Sequence, residues 1–200
     1  AAHLSEHNLG YLYKTMVSAQ SSAKYIYETS KTSKTTKSYP KNPFAKQLKT
    51  AAEFINSGLE TKVYYVSMGG FDTHASQSNR QSRLLKTYAE AIDIFVNDLE
   101  ASNSFKDTLI VTFSEFGRRV QQNAAAGTDH GAASNLFIIG KQLKKPGFYN
   151  ASPDLSNLDS NGDLKYSIDF RSIYATLLEH WLDANHSNIL GKSFETLNFI

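Results

Sequence analysis

Residues 109–118 have the sequence LIVTFSEFGR, an apolar run that passes directly into a serine, a glutamate, a glycine and an arginine. The apolar half predicts a buried β-strand, and the polar residues follow where that strand ends. Residues 136–139 (LFII) form a second apolar run, and residues 61–67 (TKVYYVS) are rich in β-branched and aromatic side chains. The predicted fold rests on these three strands.

Segments with apolar side chains at helical spacing alternate with the strands. The sequence predicts one or two helices over residues 3–29, and single helices over residues 44–55, 80–101 and 170–181. Pro43 suits the first position of the second helix and Gly58 its end. Ser167 or Asp169 is expected to cap the last helix.

The order helix–strand–helix–strand–strand–helix predicts an α/β fold. Continuous apolar strands are typical of parallel strands that helices cover on both faces. Three strands are few for such a sheet, so we expect a partial sheet within a single domain over residues 1–200. Residues 30–43 are rich in Ser, Thr and Lys, which favours a flexible surface loop over a basic tether. Asn161-Gly162 predicts a tight hairpin turn.

Composition excludes several classes of protein. The 21 basic and 19 acidic side chains give a net charge of +2, which argues against a nucleic-acid binder. No apolar run approaches the ~20 residues that a membrane-spanning helix needs, so no transmembrane segment is expected. The absence of cysteine excludes disulfides and thiolate zinc sites.

Three clusters of acidic and histidine residues lie next to the predicted strands. They contain Asp72 and His74, then Glu115, and finally Asp129 and His130. Side chains at the carboxyl ends of strands converge on one crevice of an open α/β sheet. Three carboxylates and two imidazoles in one crevice predict either a site for zinc or a harder metal, or an acid/base site.

Each cluster also has a purely structural interpretation. Asp72 is able to cap the following helix, and Glu115 to form a buried ion pair with Arg118. Ser114 lacks the Gly-x-Ser-x-Gly pattern of a nucleophile elbow. Because adjacent residues point opposite ways in an extended chain, one of Asp129 and His130 faces the metal while the other supports it. Asn123, just upstream, is placed to close the same crevice.

The remaining histidines carry weaker signals. His3 and His7 have the i, i+4 spacing of a helical metal site but no third ligand nearby in the sequence, so we expect surface positions. His180 and His186 suit positions near the C-terminal end of the last helix.

The motifs GGFDTH (69–74), SEFGRRVQQN (114–123) and GTDHG (127–131) occur in an order and spacing that resemble the bacterial domain of unknown function 1501 family. The resemblance runs from about residue 39 to the end and includes PDL (153–155) and DFRSIYAT (169–176). Members are usually exported and related to sulfatases and alkaline phosphatases. The resemblance therefore implies a three-layer sandwich with a mainly parallel sheet, and a periplasmic or secreted location.

In that superfamily, two metal ions, often zinc, flank a nucleophile that attacks phosphate or sulfate esters. The resemblance implies that Asp72, His74 and His130 hold one divalent ion, with zinc favoured and manganese or calcium as alternatives. Glu115 would be a further ligand, in place of the aspartate of an Asp-His-Gly motif whose imidazole position is occupied by Phe116. Arg118 would clamp the anionic ester, which is a role that guanidinium suits. The supporting residues would be Ser114, Asn123 and Asp129.

The implied function is metal-dependent hydrolysis of a small anionic phosphate or sulfate ester. The superfamily nucleophile comes from a first strand in the N-terminal half, and no segment of this sequence resembles it. The chain is therefore expected to be the C-terminal part of a longer protein, catalytically incomplete without its N-terminal half. Two alternatives stay open: a non-catalytic exported binding or assembly protein that retains the fold, and a mononuclear hydrolase that uses a metal-bound water.

Overall fold

The computed structural model describes the backbone of residues 6–200 and the side chains from residue 9 onward. The chain divides into two compact units. Unit 1 extends up to Val66 and includes Ala91–Ser102, and unit 2 consists of Ser67–Glu90 and Asn103–Ile200. Helix accounts for 42% of the structure and strand for only 5%.

Unit 1 is helical. Helix α1 covers Glu6–Ser30, α2 covers Pro43–Asn56, and the C-terminal part of α3 (Gln77–Ala101) also belongs to this unit. Helix α2 begins as its sequence predicts, because the Asn42 side chain accepts a hydrogen bond from the Ala45 N–H and proline stands at the first helical position. Among the described residues, no helix combines the length and the apolar character that crossing a membrane requires.

The core of unit 1 comes from the apolar faces of α2 and of the end of α3. Its largest buried side chains are Phe44, Leu48, Leu59, Ile92, Phe95 and Leu99. One charged residue, Asp98, is buried with them, and its carboxylate accepts a hydrogen bond of 2.8 Å from the Tyr39 hydroxyl. Burial, followed by this hydrogen bond to Asp98, raises the pKa of Tyr39.

Unit 2 begins with the N-terminal part of α3 and continues through short elements. A 3₁₀ turn covers Phe105–Asp107, and the four strands are β1 (Ile110–Thr112), β2 (Gly117–Arg118), β3 (His130–Gly131) and β4 (Phe137–Ile139). Helix α4 (Phe170–Thr176) runs into a π-helical turn (Leu177–Trp181), and α5 (His186–Leu190) follows. Ile173, Ala175, Thr176 and Phe199 are buried in this unit.

The prediction of a mainly parallel three-layer sandwich is wrong. The structure has two separate two-stranded sheets, β1–β4 and β2–β3, and both are antiparallel. The apolar runs 109–113 and 136–139 do form strands, but they pair with each other in opposite directions, with Val111 opposite Ile138. The reason lies in the connection: parallel strands need a crossover, usually helical, and residues 113–136 contain no helix.

The prediction of a third strand is also wrong. Residues 59–73 have no regular secondary structure, although residues 61–67 have the composition of a strand. β-propensity describes side chains that suit a pleated surface, whereas a strand also requires a neighbouring backbone to complete its ladder. Val63 and Tyr65 are 65% and 78% exposed, while Tyr64 and Val66 between and after them are half-buried, so the side chains alternate without a paired backbone.

The helical predictions are confirmed with shifted ends. Helix α1 is one helix, α3 starts three residues earlier than predicted, and the last helix is capped by Asp169. Asn161-Gly162 lies in a turn in which Gly162 N–H donates to the Asp159 carbonyl, but no strands flank it, so it is not a hairpin. Residues 31–42 carry no helix or strand. Their flexibility, and the extent of a single domain over residues 1–200, stay predictions.

Tyr39→Phe should destabilise unit 1. The substitution removes the hydroxyl that donates to Asp98, and this leaves a buried carboxylate without that donor. An unsatisfied buried polar group costs about 1–3 kcal/mol, which chemical denaturation of wild type and variant will measure. Tyr65→Phe, at an exposed hydroxyl, is the matched control and should change the free energy of unfolding little. Equal losses in both variants would contradict a specific role for the Tyr39–Asp98 bond.

Asp169 should make stability depend on acidic pH. Its hydrogen bonds with the Arg171 side chain and then with the Arg171 N–H lower the pKa of Asp169 to about 2. A lowered folded-state pKa gives stability that is fully present above the unfolded value, near 3.8, and is lost as pH falls toward 2. The unfolding free energies of wild type and Asp169→Asn should therefore converge between about pH 4 and pH 2. If the difference in unfolding free energy between wild type and Asp169→Asn stays constant over this pH range, the lowered pKa of Asp169 does not contribute to stability.

Candidate metal centre

The short β2–β3 ladder places two of the sequence motifs side by side. Arg118 pairs with His130 and Gly117 with Gly131, and the Arg119 N–H donates to the Asp129 carbonyl at 3.1 Å. The SEFGR and GTDHG motifs are therefore neighbours through antiparallel backbone pairing. The sequence predicted that these motifs meet, but at the edge of a parallel sheet.

A second set of backbone contacts brings the GGFDTH motif to the same place. The N–H groups of Ser76 and Gln77 donate to the carbonyls of Ala125 and Ala126 at 3.0 and 2.9 Å. The Asn123 side-chain amide donates to the His74 carbonyl at 2.9 Å. Residues 123–127, called here the 123–127 turn, thus hold the chain directly after His74.

Asp72, His74 and His130 converge to form what we call the Asp–His–His cluster. Oδ1 of Asp72 lies 2.7 Å from Nε2 of His130 and 3.0 Å from Nδ1 of His74. An ionised carboxylate only accepts hydrogen bonds, so the His130 imidazole donates to it, while the His74 imidazole lies within ion-pair distance. The two imidazole rings are 4.9 Å apart. One potential ligand atom from each residue lies within 4.8 Å of the other two.

Positive and potentially positive groups surround the Asp72 carboxylate. The hydrogen bond from His130 is the largest influence, and the charges of His74, His130 and Arg118 add to it, so that the pKa of Asp72 is lowered. The Arg118 guanidinium lies 3.6 Å from Oδ1. The three side chains of the cluster are about half exposed, so the site is open to solvent and to small solutes.

Phe116 contacts the cluster from the side. Its ring stacks on the His130 imidazole with centroids 4.0 Å apart and planes at 7°. From the motif resemblance, Phe116 is expected only to occupy the position of an imidazole of the superfamily. In the structure, the phenyl ring instead restricts the orientation of His130.

Below the cluster lies a buried hydrogen-bond network. Thr73, between the two ligands Asp72 and His74, is fully buried. Its hydroxyl accepts from the Gln77 amide at 3.0 Å and contacts the Gln81 amide oxygen at 3.3 Å. The Thr128 hydroxyl donates to the Gln77 amide oxygen. Sequence reasoning missed this network, because only the fold shows that Gln77 lies between the GGFDTH and GTDHG motifs.

The other predicted site residues lie near the cluster but outside it. Among the described residues, the group with metal-binding geometry consists of Asp72, His74 and His130, and it does not include Glu115, which is exposed. The Ser114 hydroxyl accepts from the Phe116 N–H. The Asp129 carboxylate accepts from the Asn123 amide at 3.2 Å. Asn123 and Asp129 thus support the 123–127 turn, consistent with Asp129 and His130 pointing different ways.

Neither His180 nor His186 is part of this site. His180 is exposed in the π-helical turn, while His186 begins α5 and lies 2.8 Å from the Glu179 carboxylate. The prediction that His186 is near a helix C-terminus is therefore wrong, because a separate short helix starts there. His3 and the side chain of His7 lie outside the described residues.

The donor set suits a transition metal or zinc. Two imidazoles and a carboxylate are typical zinc ligands, with bonds of about 2.0–2.2 Å, so that neighbouring ligand atoms of a tetrahedral site lie about 3.4 Å apart. The Asp72 carboxylate oxygen is closer than this to both imidazoles, at 2.7 and 3.0 Å, and all three ligand atoms lie within 4.8 Å of one another, so small rotations of the exposed side chains would place them around one ion. The residues present therefore fit one divalent ion.

The fold and the site define a mainly helical protein with an exposed cluster of two histidines and one aspartate. The family model described as "Protein of unknown function (DUF1501)" matches residues 6–192. The chain therefore belongs to the DUF1501 family. Searches of curated proteins and of solved structures found no match.

Gly127→Ala should disrupt the cluster. A Cβ at Gly127 would lie 2.2 Å from the carbonyl carbon of His74, so the turn and the ligand segment would have to separate. Overpacking of this kind costs about 1–3 kcal/mol, and unfolding by denaturant will measure it. Gly69→Ala is the control, since its Cβ would meet no atom within 4 Å. A loss of stability in Gly69→Ala equal to that in Gly127→Ala would contradict the importance of this close approach.

Proposed function

We propose that the Asp–His–His cluster is a divalent-metal centre that serves the hydrolysis of phosphate or sulfate esters. One observation carries the proposal. Potential ligand atoms of Asp72, His74 and His130 lie within 4.8 Å of one another, although Asp72 and His130 are 58 positions apart in the chain. Three metal-binding side chains from two distant segments have little structural reason to meet on an exposed surface.

The ligands favour particular metals. Calcium takes 6–8 oxygen ligands, and a site with two imidazoles offers too few. Imidazole nitrogen suits zinc and other transition metals. Zinc is therefore the ion that the cluster favours, with manganese as the alternative.

The residues around the centre are suited to binding a metal and an anion. A bound divalent ion would supply Lewis-acid polarisation of a phosphoryl or sulfuryl oxygen. The lowered pKa of Asp72 keeps its carboxylate ionised. A hydrogen bond to Asp72 orients the His130 imidazole, and the His74 imidazole lies 3.0 Å from the same oxygen. The exposure of the cluster lets a small ester approach without any opening of the protein.

The relation to sulfatases and alkaline phosphatases is part of this proposal. It is supported by the three motifs that supply or surround the cluster, namely GGFDTH, SEFGR and GTDHG. The same resemblance supports an exported location and a nucleophile supplied by a further segment of the protein. We therefore expect little hydrolysis of an aryl phosphate or sulfate by these 200 residues alone.

A binding or assembly function without catalysis is the second candidate. Two observations favour it: Glu115 lies outside the cluster, and the Phe116 ring occupies the face of His130. Both residues stand where the superfamily places ligands of a second metal. The proposed centre therefore holds one ion. In a binding protein, this ion would hold Asp72, His74 and His130 in a fixed arrangement on the surface.

Zinc should raise the melting temperature of the protein, and His130→Ala should abolish most of the rise. A ligand that binds only the folded state stabilises it by about 2.7 kcal/mol at a hundredfold excess over Kd. Thermal unfolding with increasing zinc, and then with manganese or calcium, will measure the shift. His180→Ala removes an exposed histidine that is not part of the Asp–His–His cluster and should respond like wild type.

Removal of the metal provides the converse test. A chelator should return the melting temperature of wild type to its value before zinc was added. Equal responses of wild type and His130→Ala to zinc would remove the cluster as the binding site. Zinc-dependent hydrolysis of an aryl phosphate or sulfate, lost in His130→Ala but kept in His180→Ala, would favour the hydrolase over the binding protein.

A further inference from the structure

Arg118 donates hydrogen bonds to two distant backbone carbonyls. One terminal nitrogen of its guanidinium donates to the Thr128 carbonyl at 2.5 Å, and the other donates to the Phe71 carbonyl. The side chain is only 18% exposed, compared with 37% for the neighbouring Arg119. The guanidinium is a rigid planar fork, so two bonds in different directions fix the separation of the groups that accept them.

These two carbonyls belong to the segments that carry the ligands. The Phe71 carbonyl is part of the peptide bond that leads into Asp72, and Thr128 precedes His130 by two residues. Arg118 itself lies opposite His130 in the β2–β3 ladder. A single side chain therefore ties the GGFDTH segment to the GTDHG segment where Asp72 and His130 meet.

A second contact links Arg118 to the imidazole of His130. The centre of the guanidinium lies 4.9 Å from the centroid of the Phe116 ring, which is the range of a cation–π interaction. Phe116 in turn stacks on His130. Arg118 thus contacts the aromatic ring that limits the rotation of His130.

We propose that Arg118 is a positioning residue, which holds Asp72 and His130 in ligand geometry, in place of the substrate clamp that the motif resemblance implies. This inference rests on the proposed metal centre. Bidentate recognition of an oxyanion requires two parallel N–H groups of one guanidinium. Each terminal nitrogen of Arg118 donates to a backbone carbonyl, so two of the five N–H groups of the guanidinium already hold the two ligand segments.

Lysine is not an adequate replacement. Its ammonium is a compact point charge, whereas the arginine fork spans two acceptors at once. Arg118→Lys therefore keeps the positive charge near Asp72 but loses the bridge between Phe71 and Thr128. If only the charge of Arg118 matters, Arg118→Lys behaves like wild type. If the bridge between the two carbonyls matters, Arg118→Lys behaves like Arg118→Ala.

The experiment compares wild type, Arg118→Ala, Arg118→Lys and Arg119→Ala. Arg119 is the matched control, because its side chain bonds to Asp163 and Asn161 and to neither ligand segment. Zinc affinity is measured by calorimetry, and binding of inorganic phosphate is measured on the same samples. Hydrogen exchange of the metal-free proteins, followed in peptides covering residues 71–76 and 123–131, reports the positioning of the cluster without metal.

Loss of a residue that orients metal ligands typically lowers metal affinity about 10–100-fold. We expect a loss of this size in both Arg118 variants, together with faster exchange in both peptides, and wild-type behaviour in Arg119→Ala. Zinc affinity and exchange that stay within about twofold of wild type in both Arg118 variants would overturn the proposal. If Arg118→Ala loses phosphate binding but keeps its zinc affinity and exchange rates, Arg118 is a substrate clamp and not a positioning residue.

The two proposals fail in different ways. If wild type binds no zinc, the metal centre is wrong, and the exchange data alone decide the role of Arg118. Faster exchange in the Arg118 variants would then still show that this side chain holds the two segments together, and unchanged exchange would refute it. If Arg118→Ala does not fold, Arg118→Lys gives the same comparison.

Discussion

The close approach of the 123–127 turn to the chain after His74 is the contact on which the candidate site depends. Backbone hydrogen bonds from Ser76 and Gln77 and the Asn123 amide hold the two segments together. The approach leaves no room for a side chain at Gly127. The β2–β3 ladder joins only the SEFGR and GTDHG motifs, so this approach, together with the bonds of Arg118, fixes Asp72 and His74 relative to His130.

The electrostatics of the cluster follow from this approach. A carboxylate next to two imidazoles and a guanidinium is an arrangement in which every partner favours the ionised form of Asp72. The cluster is exposed, so solvent screens these interactions, and their main effect is on orientation. Metal ligands must be deprotonated, so a divalent cation would bind the ionised Asp72 carboxylate directly and would displace the proton of the His130 nitrogen that donates to it.

Helices and caps were predictable because their signals are local. The position of Asn42 before Pro43 and the cap of Asp169 depend on residues two or three positions away. Sheet direction is not local. The apolar runs 109–113 and 136–139 are compatible with parallel or antiparallel pairing, and the connection between them, which contains no helix, decided for antiparallel pairing. The segment 61–67 failed as a strand for lack of a ladder.

The sequence by itself determined the family and pointed to the three residues of the Asp–His–His cluster. Asp72, His74 and His130 stand out because imidazole and carboxylate groups recur in short glycine-flanked motifs. Only the tertiary structure decided that Glu115 lies outside the cluster, that Phe116 stacks on His130, and that Arg118 bonds to backbone carbonyls. The physical reason is that a motif specifies which groups are present, whereas the partners of each group depend on which distant backbone comes within hydrogen-bonding distance.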